Sequence, residues 1–342
     1  MSGFAIETDN NLRDLDFLAS LTFGLFLPIF FVRRRVENVN GKNLTLVFAI
    51  ALVLQFGMLA VSAQTREYQF TGSERTIILN PGTYDITAYG AQGGHFYYGN
   101  IGTGGLGARV EAQFYFSNTV TLTILVGGAG DDGVTAFVGG GGGGGGGGSF
   151  VIDDNEPLII AGGGGGGSFS NDGGSGMNAT SGGSSGFGGD GTGGYEGYGG
   201  TGGGIYGGGG GGGFYSSGGI GDSYYVFSGS LSSGGGGGNS FYDGGDGGVG
   251  NSGGGGGFGG GGGAGYFTGG GGGGYSGGGG GFSSGFNNGG GGGGSFIDSS
   301  AIVEFPEASG IASPDGSPNG EIIILTIHPT RRPPERQHPV HW

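Results

Sequence analysis

The sequence predicts an all-β protein in which a long glycine-rich insertion separates two groups of strands. Segments of alternating apolar and polar residues lie on both sides of residues 139–294, and this stretch holds 83 of the 104 glycines in the chain. An ordinary α-helix is not expected there, because each interior glycine costs about 0.5–1 kcal/mol relative to alanine. Two structures remain for the insertion: a flexible low-complexity linker, or a packed array of extended helices with three residues per turn.

The first strand-forming region covers residues 64–138. Residues 83–89, 110–116 and 120–126 alternate between apolar and polar side chains, which is typical of half-buried antiparallel strands. The sequence Asn80-Pro81-Gly82 predicts a tight turn before the first of these segments.

Further strands are predicted beside and after the glycine tracts. Their ranges are 149–152, 157–161, 295–297, 301–305 and 321–327. The last of these is almost entirely apolar, which favours a central position in a sheet. Residues 295–328 are therefore expected to close the sheets that residues 64–138 begin, and residues 329–342 are expected to form a disordered tail.

Composition argues against ordinary disorder within the body of the chain. Charged residues make up 11% of the sequence and aromatic residues 12%, whereas disordered chains usually have high charge and few aromatics. A low-complexity polymer rich in glycine, tyrosine and phenylalanine remains an alternative. The chain has no cysteine, so it contains no disulfide, thiolate metal site or thiol nucleophile.

The negative charge lies almost entirely after Ala63. Residues 64–342 contain six Lys or Arg and 21 Asp or Glu, and no Lys or Arg occurs between Arg109 and Arg331. Such an acidic surface repels phosphate backbones, so nucleic acid is not expected to be a partner. Clustered basic residues that would attract anionic lipid are also missing there. Membrane contact is therefore expected only through the hydrophobic segments near the amino terminus.

Residues 1–63 are predicted to be a hydrophobic export region. Apolar runs cover residues 17–32 and 44–61, and the second follows Lys42 and ends in small residues that fit a signal-peptidase site between Ala63 and Gln64. An uncleaved signal anchor and a two-span hairpin are alternatives. The forty residues before the second run also suggest a misassigned start near residue 39 or 40. Every alternative places the rest of the chain outside the membrane, as a secreted or cell-surface protein.

The glycine tracts end in recurring non-glycine residues that a flexible spacer does not need. A Ser-Phe pair follows three of them, at Ser149, Ser168 and Ser295. Extended polyglycine helices rise about 3.1 Å per residue and make no internal hydrogen bonds, so their backbone groups must pair with neighbouring segments. Ordering each residue costs about 1–2 kcal/mol, which one net hydrogen bond of about 1 kcal/mol barely offsets. An ordered array therefore needs a folded sandwich to nucleate it.

Several segments resemble a known receptor family. Residues 82–94 (GTYDITAYGAQGG), 122–127 (LTILVG), 141–150 and 157–163 (PLIIAGG) are similar in order and spacing to the glycine-rich extracellular domain of the anaplastic lymphoma kinase and leukocyte tyrosine kinase receptors. The resemblance covers about residues 67–327. It implies a tumour-necrosis-factor-like antiparallel β-sandwich with an inserted bundle of polyglycine II helices.

The sequence also departs from that receptor family. The receptor domains carry cysteines, which this chain lacks. Kinase motifs are absent: no Lys follows Lys42, and neither His-Arg-Asp nor Asp-Phe-Gly occurs. The resemblance therefore implies a ligand-binding ectodomain without kinase activity, and none of the receptors' ligand-binding residues is carried over to this chain.

Tyrosines of the glycine-rich stretch are the candidate binding residues. They could form a face for a protein or glycan ligand, or they could simply cover the edge of the packed glycine array; they are Tyr195, Tyr198, Tyr206, Tyr215, Tyr224 and Tyr225. The acidic pairs at 131–132 and 153–154 suggest a calcium site, and the alternative is that they simply form polar turns. No nucleophile–base constellation is present, so neither an enzyme nor a cofactor is expected.

The resulting functional prediction is a non-enzymatic, exported or cell-surface protein that acts in adhesion, recognition or ligand binding. A disordered or elastic matrix or cell-wall protein is the main alternative, since glycine-rich polymers can be useful without a fold. An ice-binding protein is a further alternative, although no regular threonine ladder supports it.

Overall fold

The computed structural model describes residues 64–96, 101–136, 139–186, 191–225, 231–232, 234–251, 253–283 and 288–327. The export region 1–63 and the tail 329–342 lie outside these ranges. Within them the chain is all-β, as predicted, and no helix occurs. Its strands are β1 (Thr65–Gln69), β2 (Arg75–Leu79), β3 (Gly82–Tyr89), β4 (Arg109–Phe116), β5 (Val120–Leu125), β6 (Thr135–Ala136), β7 (Gly139–Gly140), β8 (Ser149–Asp153), β9 (Glu156–Ala161), β10 (Tyr224–Tyr225), β11 (Leu231–Ser232), β12 (Phe296–Ile297), β13 (Val303–Glu304) and β14 (Glu321–Ile327). None of the described residues forms a helix long and apolar enough to cross a membrane.

Two five-stranded antiparallel sheets form the framework. The first has the order β1-β14-β3-β4-β13, and the second has the order β12-β9-β8-β5-β2. Strand β14 pairs with β3 along its whole length, from Glu321 opposite Tyr89 to Ile327 opposite Thr83. It also pairs with β1 on its other side. The apolar strand after the glycine stretch is therefore interior in a sheet that the early strands begin, which confirms the prediction of a central strand.

One hydrophobic core joins the two sheets. It contains Ile86 and Phe114 from the first sheet together with Leu122, Ile124 and Val151 from the second, all of them fully or almost fully buried. Along β3 and β4 every second residue is buried, so one face of this sheet points into the core. The sheets thus pack face to face in a β-sandwich-like arrangement that the period-two alternation predicts.

A second hydrophobic cluster covers the opposite face of the second sheet. Phe150 and Ile152 of β8 point into it, whereas Val151 between them points into the core. The cluster is completed by Phe214 and Phe241, which come from the glycine-rich stretch. Because both faces of the second sheet are buried at β8 and β9, these two strands are rich in apolar residues without strict alternation.

Backbone hydrogen bonds in the glycine-rich stretch repeat every three residues. In residues 143–148, three successive N–H groups donate to three different neighbouring segments, and the next three return to those same segments in the same order, at N···O distances of 2.8–2.9 Å. Carbonyl groups of the same tract accept N–H groups from three further segments. The six neighbours of this tract are residues 128–131, 164–167 and 259–262 as acceptors, and 91–94, 257 and 270–273 as donors.

Two other tracts, 208–213 and 269–274, are surrounded in the same way. Segments on all sides accept their N–H groups and donate to their carbonyl groups, and most glycines in these tracts are buried. A Cβ atom on Gly145 would overlap the carbonyl oxygen of Gly271, and one on Gly211 would overlap that of Gly272. Glycine is therefore required here by the close approach of neighbouring backbones.

The serines of the Ser-Phe pairs are buried and bridge segments. The Ser149 hydroxyl accepts the N–H of Gly127 (3.0 Å) and donates to the carbonyl of Tyr89 (2.6 Å), so it links the two sheets. The Ser295 hydroxyl accepts the N–H of Gly162 (3.0 Å) in a similar manner. In both cases the hydroxyl takes the position of a backbone acceptor where a glycine tract gives way to a strand.

Candidate recognition surface

Four exposed tyrosine rings lie in a row on the glycine-rich side of the second sheet. We call Tyr195, Tyr198, Tyr215 and Tyr242 the tyrosine patch; these residues are 65%, 52%, 47% and 52% exposed. Ring centroids of successive members are 6.3, 6.4 and 6.1 Å apart. Three of the four are sequence-predicted site residues. The fourth, Tyr242, was missed, although the adjacent aromatic pair Phe241-Tyr242 was a visible signal.

Local backbone geometry presents the first three rings. Between Tyr195 and Tyr198 the chain makes a turn, closed by an N–H···O bond of 3.0 Å from Tyr198 to Tyr195. Gly197 in this turn has a φ of 85°, and a Cβ on it would overlap the Tyr215 ring. The N–H of Tyr215 in turn donates to the carbonyl of Gly197 at 2.8 Å. Glycine at position 197 therefore permits both the turn and the close approach of the ring.

Phe214 forms the buried support of the patch. It is fully buried, and its ring centroid lies 4.9 Å from that of Tyr215 and 5.1 Å from that of Tyr242. Phe214 also packs against Phe241, which contacts Phe150 of the second sheet, with 5.3 Å between centroids in each pair. This chain of ring contacts ties the exposed tyrosines to the sandwich. The patch thus stands on packed structure and not on a free loop.

The Tyr242 hydroxyl fixes one end of the patch to the turn between β8 and β9. It donates to the carbonyl of Asn155 at 2.9 Å. Asp154 and Asn155 have φ values of 46° and 70°, as expected for a tight hairpin turn between strands. Strand β9 begins directly after this turn with Glu156, whose carboxylate is thereby brought close to the tyrosines.

Carboxylates lie beside the tyrosine patch. Burial raises the pKa of the Tyr215 hydroxyl, and the negative charge of Glu156 raises it further. The pKa of Tyr275 beneath the patch is likewise raised by burial first, with smaller contributions from Tyr215 and Glu196. Hydrogen bonds from Ser240 and Ser217 lower the pKa of Asp243, so this carboxylate is ionised at neutral pH.

The other predicted tyrosines lie elsewhere. Tyr206 packs against Tyr266 at 5.8 Å, in a second aromatic group that continues through Phe267 and Phe169. The backbones of Tyr224 and Tyr225 form β10, whereas their side chains lie outside the described part of the structure. The structure therefore separates the predicted binding residues into different surfaces.

The predicted signal-cleavage pair lies at the edge of the described structure. Ala63 falls outside the described ranges. Gln64 is exposed and directly precedes β1, and its carbonyl accepts the N–H of Thr326 at 3.1 Å.

The acidic pairs act as polar turn and capping groups in the described structure. The Asp132 carboxylate accepts the N–H of His95 at 2.8 Å. Burial raises the pKa of Asp153, with a further contribution from Asp154. Among the described residues, no group of three or more His, Asp or Glu side chains is placed to hold a metal ion.

Comparisons with known proteins assign the chain to no family: no family model matches it, and neither does any curated protein. Tyrosine combines a flat apolar face with a hydroxyl group, and neighbouring carboxylates add hydrogen-bond acceptors and negative charge. This combination suits non-covalent binding of a peptide or a sugar.

Proposed function

We propose that this chain is a non-enzymatic, exported recognition or adhesion module whose tyrosine patch binds a protein or glycan ligand. The observation that carries the proposal is the row of four exposed tyrosine rings held on the buried ring of Phe214. Contiguous exposed apolar surface is uncommon on soluble proteins and usually marks an interaction site. Tyrosine is also enriched among residues that dominate binding energy, because it offers a large contact area with little conformational freedom.

We further infer that the glycine-rich stretch is a bundle of polyglycine II helices inserted in a tumour-necrosis-factor-like sandwich. The three-residue hydrogen-bond repeat supports this inference, since a helix of three residues per turn directs successive N–H groups to three neighbours. The resemblance of residues 82–94 and 157–163 to the anaplastic lymphoma kinase and leukocyte tyrosine kinase ectodomains supports it as well. In this view the bundle is the scaffold that positions the patch.

Export is part of the same proposal. The apolar run 44–61 and the small residues at 61 and 63 support a signal peptide or signal anchor that delivers the remainder outside the cell. Backbone hydrogen bonds between glycine segments would then supply stability that other extracellular domains obtain from disulfides. A disordered elastic matrix protein is the alternative, and the ordered hydrogen-bond repeat favours the recognition module over it.

Binding arrays test this function. The purified exported protein is applied to glycan and extracellular-protein arrays, together with the double variant Tyr215→Ala/Tyr242→Ala and the control Tyr115→Ala. Tyr115 is 61% exposed on β4 of the first sheet, which does not carry the patch. We expect the double variant to bind at least about tenfold more weakly, as truncation of an aromatic anchor does elsewhere, and the control to bind normally. Equal binding by all three proteins would contradict the proposal.

A further inference from the structure

We propose that the tyrosine patch binds residues 329–342 of its own chain. This inference rests on the proposed function of the patch as a recognition surface and names the chemistry of its occupant. The segment reads PTRRPPERQHPVHW and lies outside the described residues. It is rich in arginine and proline, which are the residue types that a row of acidic-flanked tyrosines is best suited to bind.

Ring geometry favours an extended, proline-containing ligand. Successive rings of the patch are 6.1–6.4 Å apart, so they form a continuous row of aromatic surface. Proline-rich segments adopt the extended polyproline II conformation before binding, and aromatic-lined grooves recognise them for this reason. Pro333 and Pro334 are adjacent in the segment and follow two arginines directly. Guanidinium groups of these arginines can stack on tyrosine faces.

Charge complementarity points to the same occupant. Glu196 lies within the turn between Tyr195 and Tyr198. Glu156 directly follows Asn155, whose carbonyl accepts the Tyr242 hydroxyl. Asp243 follows Tyr242 in sequence. No Lys or Arg occurs between Arg109 and Arg331, so these carboxylates have no basic residue close to them in the sequence. Three of the six basic residues after Ala63 are in the segment itself. They are Arg331, Arg332 and Arg336.

Sheet topology places the patch within reach of the segment. Strand β14 ends at Ile327, which pairs with Thr83 at the start of β3. The short connection from β2 to β3 brings the end of β2 to this edge of the sandwich, and the adjacent part of β5 pairs with Asp153 at the β8–β9 turn. Asn155 of that turn accepts the Tyr242 hydroxyl. The patch and the end of β14 therefore lie at the same end of the two sheets.

The length of the connecting chain is sufficient. Residues 328–342 could span up to about 50 Å if extended, at roughly 3.3–3.6 Å per residue. Facing sheets are about 10 Å apart, and the patch lies one layer of aromatic side chains beyond the second sheet. Binding of the segment to its own patch thus requires no rearrangement of the sandwich. An external ligand with the same arginine- and proline-rich chemistry would have to displace it.

Trp342 provides an intrinsic reporter, because it is the only tryptophan of the chain and lies in the segment. Acrylamide quenching of its fluorescence is measured in the purified protein and in the free 329–342 peptide. We expect quenching in the protein to be weaker than in the peptide, because the bound segment shields the indole ring. The variants Tyr198→Ala, Tyr215→Ala and Arg331→Glu/Arg332→Glu should each move quenching toward the value of the peptide, because each removes a cation–π or charge contact between the patch and the segment. Tyr115→Ala should leave it unchanged.

Three outcomes would overturn the inference. In the first, quenching of Trp342 in the unmodified protein equals that of the peptide. In the second, Trp342 is protected in the unmodified protein, but the patch and arginine variants show the same protection although far-ultraviolet circular dichroism shows that these variants are folded. Protection that rises with protein concentration would instead identify a second copy as the occupant. The array experiment separates the inference from the proposed function. If the segment occupies the patch, Arg331→Glu/Arg332→Glu should bind the external ligand more strongly than the unmodified protein, because the ligand no longer has to displace the segment. Equal binding by the two proteins would mean that only the inference about the segment fails.

Discussion

Replacing Gly145 by alanine tests whether the glycine tracts are packed as described. Gly145 lies in the tract 143–148, where its N–H donates to Gly262 and its carbonyl accepts the N–H of Gly257, both at 2.9 Å. An alanine Cβ would overlap the carbonyl oxygen of Gly271. This oxygen belongs to a backbone segment, so it cannot rotate away as a side chain would. The overlap is relieved only if the tract or the neighbouring segment 269–274 moves.

The expected loss of stability follows from that displacement. Overpacking of a well-packed interior costs about 1–3 kcal/mol. Each buried backbone group that loses its partner adds about 1–3 kcal/mol. The reduced freedom of alanine in the unfolded chain opposes this by about 0.4–1 kcal/mol. A net destabilisation of about 3 kcal/mol is expected, which is a large fraction of the roughly 5–15 kcal/mol that stabilises a typical domain.

Gly183→Ala is the matched control. A Cβ on Gly183 would find its nearest atom, the amide nitrogen of Gly292, at an ordinary contact distance of 3.4 Å. The control should therefore change the free energy of unfolding by less than about 0.5 kcal/mol or stabilise slightly. Thermal melting followed by circular dichroism should show Gly145→Ala melting about 6–12 °C below the unmodified protein. If both variants melt together with the unmodified protein, the neighbouring backbones are not in contact and the reasoning is wrong.

Two further substitutions probe the link between the sheets at Ser149 and the buried carboxylate of Glu321 at the start of β14. Ser149→Ala should destabilise by about 1–3 kcal/mol in urea unfolding, because the buried groups that its hydroxyl bridges lose their partner, whereas the exposed Ser117→Ala should have little effect. Glu321→Gln should raise the melting temperature at pH 7 and above, because burial raises the pKa of Glu321 in the folded state, with smaller contributions from neighbouring acidic residues. The exposed Glu74→Gln serves as its control.

The direction of the pH dependence at Glu321 follows from proton linkage. The folded state holds the proton more tightly than the unfolded state, so stability falls as pH rises from the unfolded pKa to the higher folded pKa and is then constant. Each pKa unit of difference corresponds to about 1.4 kcal/mol. The stability gained by Glu321→Gln should therefore be largest above the folded-state pKa of Glu321, and this gain should vanish below about pH 4. A stability difference between Glu321→Gln and the unmodified protein that stays constant across this pH range would contradict the linkage argument. For the serines, an equal loss of stability in Ser149→Ala and Ser117→Ala would show that the Ser149 bridge is unimportant.

The strands and their burial could be predicted from the sequence because they depend on local alternation. Residues 83–89 and 110–116 form β3 and β4 with one buried face, and the apolar run 321–327 lies between two strands of its sheet. The Ser-Phe pairs also indicated that the glycine tracts have packing partners. Ser149 and Ser295 bridge backbones, and Phe150 is buried between the second sheet and the glycine-rich stretch.

Which segments meet in the glycine-rich stretch was decided only by the tertiary structure. Glycine tracts are chemically identical, so no side chain in the sequence specifies that 143–148 contacts 164–167 and 270–273. The same holds for the tyrosines: Tyr195, Tyr198 and Tyr215 come together with Tyr242, whereas Tyr206 joins a different aromatic group. Alternation along a strand is a local property, but contacts between glycine segments depend on where the sandwich anchors each end of the chain. The sequence alone therefore determined the strands and the need for glycine, and the fold determined the surface.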